Sequence, residues 1–456
     1  MAPAILTPPA SGTATPTFSS LTKDQAQSQA SNSNQPASNG SSNLAPLDAS
    51  LLQTTLTTSP REVPAPDDPS VASANVCTDH MITAQWTDQT GWAAPQLKPY
   101  GPLSIMPTAS VLHYATECFE GLKLYRGHDS KLRLFRPSRN AARMRRSCAR
   151  IALPDFAESE LEKLILALCA RDGAKWLPKS RCEGKFLYLR PTMIANDPGL
   201  GVQVPKAALL YVILVMFPDL SKPTALGPSV HIPASAAPLD GGVKTQEHPE
   251  VEGLKLLASK EDTIRAWPGG FGFAKLGANY GPSLMAAGEA RQRGFNQILW
   301  LFGSEAFVTE AGASNFFVVW RTRQGGVQLV TAPLDEGIIL EGVTRASILE
   351  LARSRLQKEG GLGGEETTEA VEVLERKFTM EELDEAVQEG RLLEAFAAGT
   401  AYFVAGVGLI EWKGKELKVP CQSGMGKYTR LLRGWLEGIM YGPEEHEWGV
   451  VVEEQE

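Results

Sequence analysis

A chain of 456 residues that is 43% hydrophobic and 21% charged has room for two domains with their own cores, and its make-up is that of an ordinary globular protein. A net charge of −8 with no basic cluster argues against a nucleic-acid partner. The longest apolar run, residues 207–217, falls short of the roughly 20 residues that cross a bilayer, so no membrane partner is expected.

Residues 1–72 are rich in Ser, Thr, Pro, Ala, Asn and Gln, and such a segment buries too little apolar surface to offset its ordering entropy. It is expected to be disordered. Its basic residues are Lys23 and Arg61, which does not match the arginine-rich pattern of a transit peptide. A cytoplasmic location is therefore expected, with mitochondria as the alternative. Six scattered cysteines without a CxxC pair argue against a disulfide framework or zinc site and fit reduced thiols.

Residues 73–220 read as a small α+β domain. Strand-like MITAQW (81–86) and LRLFR (132–136) come first. A helix over 137–151 follows, opened by Pro137, with Ala141, Met144, Cys148 and Ile151 at helical spacing. After an amphipathic helix over 158–171, FLYLRPTMIA (186–195) and AALLYVILVMF (207–217) should be antiparallel neighbours. Residues 221–253, rich in Pro, Gly and Ser, read as an interdomain linker with an extended loop. Residues 254–442 form the larger domain, with helices over 282–293, 344–360 and 380–390 and strands over 298–302 and 316–320. The acidic residues 443–456 are expected to be a solvated tail.

The stretch RAWPGGFGFAKLGANY (265–280) sets one lysine, Lys275, among glycines. Small neighbours leave space around the amine, which could serve as a nucleophile if shielded from water. The plain alternative is a glycine-rich turn with a solvated lysine. Four further features have the same ambiguity. Glu310 lies among small residues in TEAGASNFF (309–317), and GVTR (342–345) opens a helix whose free N–H groups suit an anion. AAGTA (397–401) adds the Thr400 hydroxyl, and Arg136 in LFRP (134–137) sits where a strand meets a helix, a sensible place to hold a phosphate.

With LHYATECFEGLKLYR (112–126), RLFRPSRNAARM (133–144), YLRP (188–191) and VTAPLDEGIILEGVTRASIL (330–349), these motifs resemble the class IV pyridoxal-phosphate enzymes. Within that family they are most similar to branched-chain amino-acid aminotransferases of the fungal type, from about Cys77 to Trp412. The resemblance implies an α+β fold of type IV, a small α+β domain plus a larger pseudo-barrel domain, assembled as a homodimer. It implies pyridoxal 5'-phosphate as cofactor, bound covalently by Lys275, which then acts as acid and base. Glu310 would face the pyridine nitrogen and Tyr280 the phenolic oxygen. Arg136, Val343, Thr344 and Thr400 would hold the phosphate. Tyr114, Phe119, Tyr188, Arg190, Ala313 and Ala401 would meet the substrate, with Tyr188 reaching in from the partner subunit.

The implied reaction moves the amino group of leucine, isoleucine or valine to 2-oxoglutarate. Three departures bear on it. Ala313 replaces a usual threonine, Cys77 appears at a position that often lines the pocket with phenylalanine, and Tyr402 and Ala405 stand where animal enzymes carry a CxxC. The first two motivate a second reading, an aminotransferase of this family specialised for an unusual apolar amino acid. Aminodeoxychorismate lyase and D-amino-acid aminotransferase are set aside because FEGLK and GANYGPSL resemble the branched-chain subgroup more closely. A cofactor-binding protein without turnover is argued against by the intact set of Lys275, Glu310 and Arg136.

Overall fold

The structure, a computed structural model, describes residues 44–65, 68–181, 186–218, 251–357, 369–401 and 403–455. Its first sheet grows from the two apolar runs: strands Phe186–Ala195 and Ala207–Met216 pair antiparallel, from Leu187 opposite Met216 to Ala195 opposite Ala208. Cys77–Thr87 adds beyond Ala207–Met216. Leu122–Arg126 and then Leu132–Phe135 add on the other side. Helices Pro137–Arg150 and Glu158–Trp176 cover this sheet. Their apolar stripes, including Ala141, Met144, Leu161 and Leu168, bury against Leu124, Leu189, Leu210 and Val212.

The second sheet closes on itself. Strands Leu254–Ala258, Gln297–Phe302, Phe307–Ala311, Ser314–Arg321, Leu392–Ala398 and Val404–Trp412 form a ring, completed where Phe307–Ala311 pairs with Ser314–Arg321. Strand alternation divides its apolar residues between two cores. Phe316, Val318 and Trp320 pack with Phe378, Met380 and Leu383 near helix Met380–Gln388. Phe317 and Val319 face helices Val343–Arg355 and Lys427–Tyr441. That second core also takes in Tyr125 and Phe135 of the first sheet, which locks the sheets together. The fold is α+β, and its second sheet is barrel-like.

Part of the segment assigned to disorder is folded. Leu47, 2% exposed, enters the first core, and Gln53–Thr54 pairs in parallel with Gln96–Pro99. The Thr57 N–H donates to His80 Nε2 and the Arg61 N–H to Asp79. A few well-placed anchors suffice here, and average composition does not register them. Residues 1–43, residues 221–250 of the expected linker, and Gly360, the expected end of the 344–360 helix, lie outside the described residues; that helix closes at Arg355.

The acidic end is likewise built in. Gly449–Val452 forms an edge strand against Leu132–Phe135. Glu454 pairs at 2.6 Å with Arg126, which is fully buried and also donates to the Leu177 and Ser130 carbonyls. Glu444 pairs with Arg355. The expected solvated tail is corrected on this point: its cationic partners are distant in sequence and adjacent in space.

The Arg126 hydrogen bonds hold the Glu454 carboxyl below the usual carboxylate range. Its stabilising contribution is therefore full above the unfolded pKa of ~4.3 and lost as pH falls through the depressed folded value. Glu454→Gln should cost about 2 kcal/mol, because it strands a buried guanidinium beside a partly exposed partner. Thermal unfolding should show a lower Tm at pH 7, with the gap to wild type closing in acid.

Candidate active site

The 265–280 stretch carries Lys275 from the barrel to the first sheet. The Lys275 N–H donates to Ser147 Oγ at 2.9 Å, and its carbonyl accepts from the Phe119 N–H at 3.1 Å. Its Nζ lies 3.3 Å from the Tyr280 hydroxyl and 5.0 Å from the centre of the Phe119 ring. Gly277 makes a close contact: a Cβ there would stand 2.0 Å from Glu117 Oε1 and would displace that side chain. Lys275 is half-buried and lines a cavity of about 450 Å³, so the solvated-turn reading does not hold.

Glu310 is placed by a tight hairpin. Ala311 pairs with Ser314, leaving Gly312 and Ala313 as the turn, and Gly312 takes φ +58°, which glycine adopts without strain. Glu310, 2% exposed, stands opposite Asn315. Its Oε1 accepts from the Leu340 N–H at 3.2 Å and from Asn315 Nδ2 at 3.4 Å. Oε2 lies 2.5 Å from an Arg265 nitrogen yet receives no well-directed hydrogen bond from the described residues. Burial pushes the Glu310 carboxyl up, and the Arg265 charge pulls it back.

At the far wall, helix Val343–Arg355 begins behind Gly342 with no side-chain cap, and Val343, Thr344 and Thr400 line the cavity there. Arg136 does not. It occupies the N-cap of the 137–150 helix at φ +48°, bonds Ser347 and Glu350, and stacks 3.9 Å from the Trp448 ring centre. Its charge is already neutralised by Glu350, and Trp448 covers it.

Arg143, two turns further along the same helix, lines the cavity instead. It is held from behind by fully buried Glu120 (Nε–Oε1 2.7 Å, NH2–Oε2 2.8 Å) and by the Glu341 carbonyl. A guanidinium has more N–H donors than these bonds use. The available signal was a polar stripe, Asn140, Arg143 and Ser147, at helical spacing beside the apolar one.

Of the residues expected to meet the substrate, Phe119, Tyr188, Arg190, Ala313 and Ala401 all line the cavity. Tyr188 belongs to the cavity of its own chain, which corrects its assignment to a partner subunit. Tyr114 does not reach this cavity; it is exposed at the end of helix Ser110–Tyr114 and donates to the Leu200 carbonyl. Cys77 is also away from it, buried beside Tyr100 with Arg61 on its carbonyl. Of the two departures that motivated an unusual substrate, only Ala313 is at the cavity. Tyr402 lies outside the described residues. Arg265, Arg143 and Glu117 are lining or supporting residues that the motifs contained but sequence reasoning passed over.

The cavity thus joins an amine, a buried carboxylate and an uncapped helix start beside a guanidinium. This donor set fits a phosphorylated aldehyde cofactor with a basic ring nitrogen. Residues 117–401 match the family model for amino-transferase class IV. The chain is 42% identical over 415 residues to the cytosolic branched-chain-amino-acid aminotransferase of Saccharomyces cerevisiae, covering 90% of this chain and 98% of that one. It is 39% identical over 409 residues to the mitochondrial enzyme of Schizosaccharomyces pombe, covering 89% and 86%. It shares its fold with the branched-chain aminotransferase of Thermoproteus uzoniensis, with a TM-score of 0.56 at 24% identity over 81% of this chain and 99% of that one. The chain belongs to the class IV aminotransferase family.

The two arginines separate experimentally. Arg143→Gln should weaken retention of pyridoxal phosphate by roughly 10- to 100-fold, the scale of a lost charge-assisted contact. Arg136→Gln should leave it within about threefold and lower Tm instead, through the lost Ser347, Glu350 and Trp448 contacts. Titration of the apoproteins with cofactor decides between them.

Proposed function

We propose that the protein is a pyridoxal-phosphate-dependent aminotransferase moving the amino group of L-leucine, L-isoleucine or L-valine to 2-oxoglutarate, with branched 2-oxo acids and glutamate as products. The observation that carries this reading is the convergence of Lys275 and the buried Glu310 carboxylate on one cavity. The identity of about 40% to named branched-chain aminotransferases supports the substrate class.

Lys275, Tyr280, Glu310, Val343, Thr344, Thr400 and Arg143 would hold the cofactor. When bound, it supplies an aldehyde that takes up the amino group and a ring that stores the electron pair released at the substrate α-carbon. The Lys275 amine would take the proton removed at that α-carbon and deliver it to the former aldehyde carbon of the cofactor. The Tyr280 hydroxyl, 3.3 Å away, aims the amine. Glu310, kept from solvent and backed by Arg265, presents a negative charge where a protonated ring nitrogen requires one. The free N–H groups at Val343 and Thr344 and the spare Arg143 donors take the phosphate charge.

Phe119 and Tyr188 offer apolar faces to a branched side chain, Ala401 offers backbone to the substrate carboxylate, and Arg190 would receive the distal carboxylate of glutamate. The missing hydroxyl at Ala313 enlarges the apolar share of the subsite; a change of this size alters preference among side chains by only about 1–3 kcal/mol.

Two readings concern the protein's setting. The segments around residues 106–114 and 198–204 lie together through the Ala109–Pro198 bridge, and they expose Met106, Leu112, Tyr114, Leu200, Val202 and Val204. An apolar patch of this kind suits a second copy of the chain, and a homodimer is our reading. No helix among the described residues is long and apolar enough to cross a membrane. Relatives are described as cytosolic or mitochondrial, and a cytoplasmic location is our reading.

Purified protein should show a visible cofactor band that leucine, isoleucine and valine bleach faster than bulkier amino acids. A band bleached only by other amino acids would reassign the substrate, and no band after reconstitution would overturn the cofactor. Lys275→Ala should fold, as judged by circular dichroism, and lose multiple-turnover transamination by a factor of at least about 10³. Leu112→Asp with Val202→Asp should convert the dimer to monomer in analytical ultracentrifugation; an unchanged sedimentation coefficient would place the interface elsewhere.

A further inference from the structure

Two oppositely charged side chains line the cavity without a hydrogen bond or an ion pair to any described residue: Arg190 and Glu117. Arg190, on strand Phe186–Ala195, lies between aromatic faces, its guanidinium 4.6 Å from the Phe119 ring centre and 5.2 Å from that of Tyr188. Its Nε is buried and unpartnered. Glu117 begins the adjacent strand Glu117–Phe119, opposite Ile194, and its carboxylate packs over Gly277, two residues after the lysine. Burial raises the Glu117 carboxyl and the Arg190 charge pulls it back, and the Tyr211 hydroxyl senses both. Both charges therefore face the same cavity without touching.

We propose that Glu117 is a specificity-determining residue whose carboxylate offsets the field of Arg190 at the substrate side-chain subsite. An unopposed guanidinium in a half-buried aromatic cleft favours any anion and disfavours the apolar side chain placed beside it. With Glu117 present, a branched apolar side chain meets a nearly balanced field, while a distal carboxylate is attracted by Arg190 and repelled by Glu117. One pocket thereby serves both partners of the exchange without becoming trapped by the dicarboxylic one. This inference rests on the reading that Arg190 receives the distal carboxylate of glutamate.

The test uses the holoenzyme and its separate half-reactions, with bleaching of the cofactor band followed by stopped flow at increasing L-glutamate or L-leucine. Glu117→Gln, which keeps the shape and removes the charge, should lower the apparent dissociation constant for glutamate about tenfold, while that for leucine rises about twofold. Glu117→Asp, which keeps the charge, should hold the ratio of the two constants within about threefold of wild type. If the Gln variant does not fold, Glu117→Ala should shift the ratio in the same direction. An unchanged glutamate constant in the uncharged variants, or equal weakening of both substrates, overturns the proposal. Arg190→Gln tells the two failures apart. If it weakens glutamate while removal of the Glu117 charge has no effect, the role of Glu117 is wrong. If it leaves glutamate binding intact, the carboxylate subsite itself is misplaced.

Discussion

The structure depends on how the backbone of Lys275 is held. Its N–H is fixed by Ser147 of the helix over 137–150 and its carbonyl by the Phe119 amide, so both peptide groups flanking the lysine are satisfied by the first sheet and its covering helix. The lysine stretch itself arrives from the barrel side. A reactive amine needs a fixed base and an open tip, and two hydrogen bonds to separate elements supply the first without occupying Nζ. The same contacts bring the Phe119 ring beside the amine and set Glu117 against Gly277.

Around that anchor the protein retains buried charge that a purely structural core would avoid. Glu120 with Arg143, and Glu310 with Arg265, are buried or nearly buried pairs that meet across the cavity walls. Desolvating such pairs costs about as much as their attraction returns, so they add little to stability. What they provide is orientation. Glu120 holds one flank of Arg143 so that its remaining donors are not free to swing, and the Arg265 charge opposes the upward push that burial gives the Glu310 carboxyl.

The larger scaffold serves the same end. The barrel closes at the hairpin that carries Glu310, so the position of that carboxylate is set by a ring of strands and not by a loose loop. The core shared by Phe317, Phe396, Tyr125 and Phe135 joins barrel to first sheet and fixes the distance between the two halves of the cavity. The C-terminal strand contributes at a distance: Trp448 covers Arg136, and Glu454 neutralises Arg126 under the outer strands.

The sequence by itself determined the class of fold, the antiparallel pair 186–195 and 207–216, the main helices, and most of the residues that line the cavity, because local spacing and short motifs carry that information. The tertiary structure alone decided which charges meet. Arg136 and Arg143 lie on one helix in equally plausible motifs, and what separates them is whether Glu350 and Trp448 or the open cavity lies beyond the guanidinium. The folding of residues 44–65 and 449–452 turned on partners far along the chain, His80 and Asp79 for one, Arg126 and strand Leu132–Phe135 for the other. Composition averages over a segment, whereas folding is decided by a few long-range contacts. That difference is why segments that read as disordered or solvated are part of the core architecture.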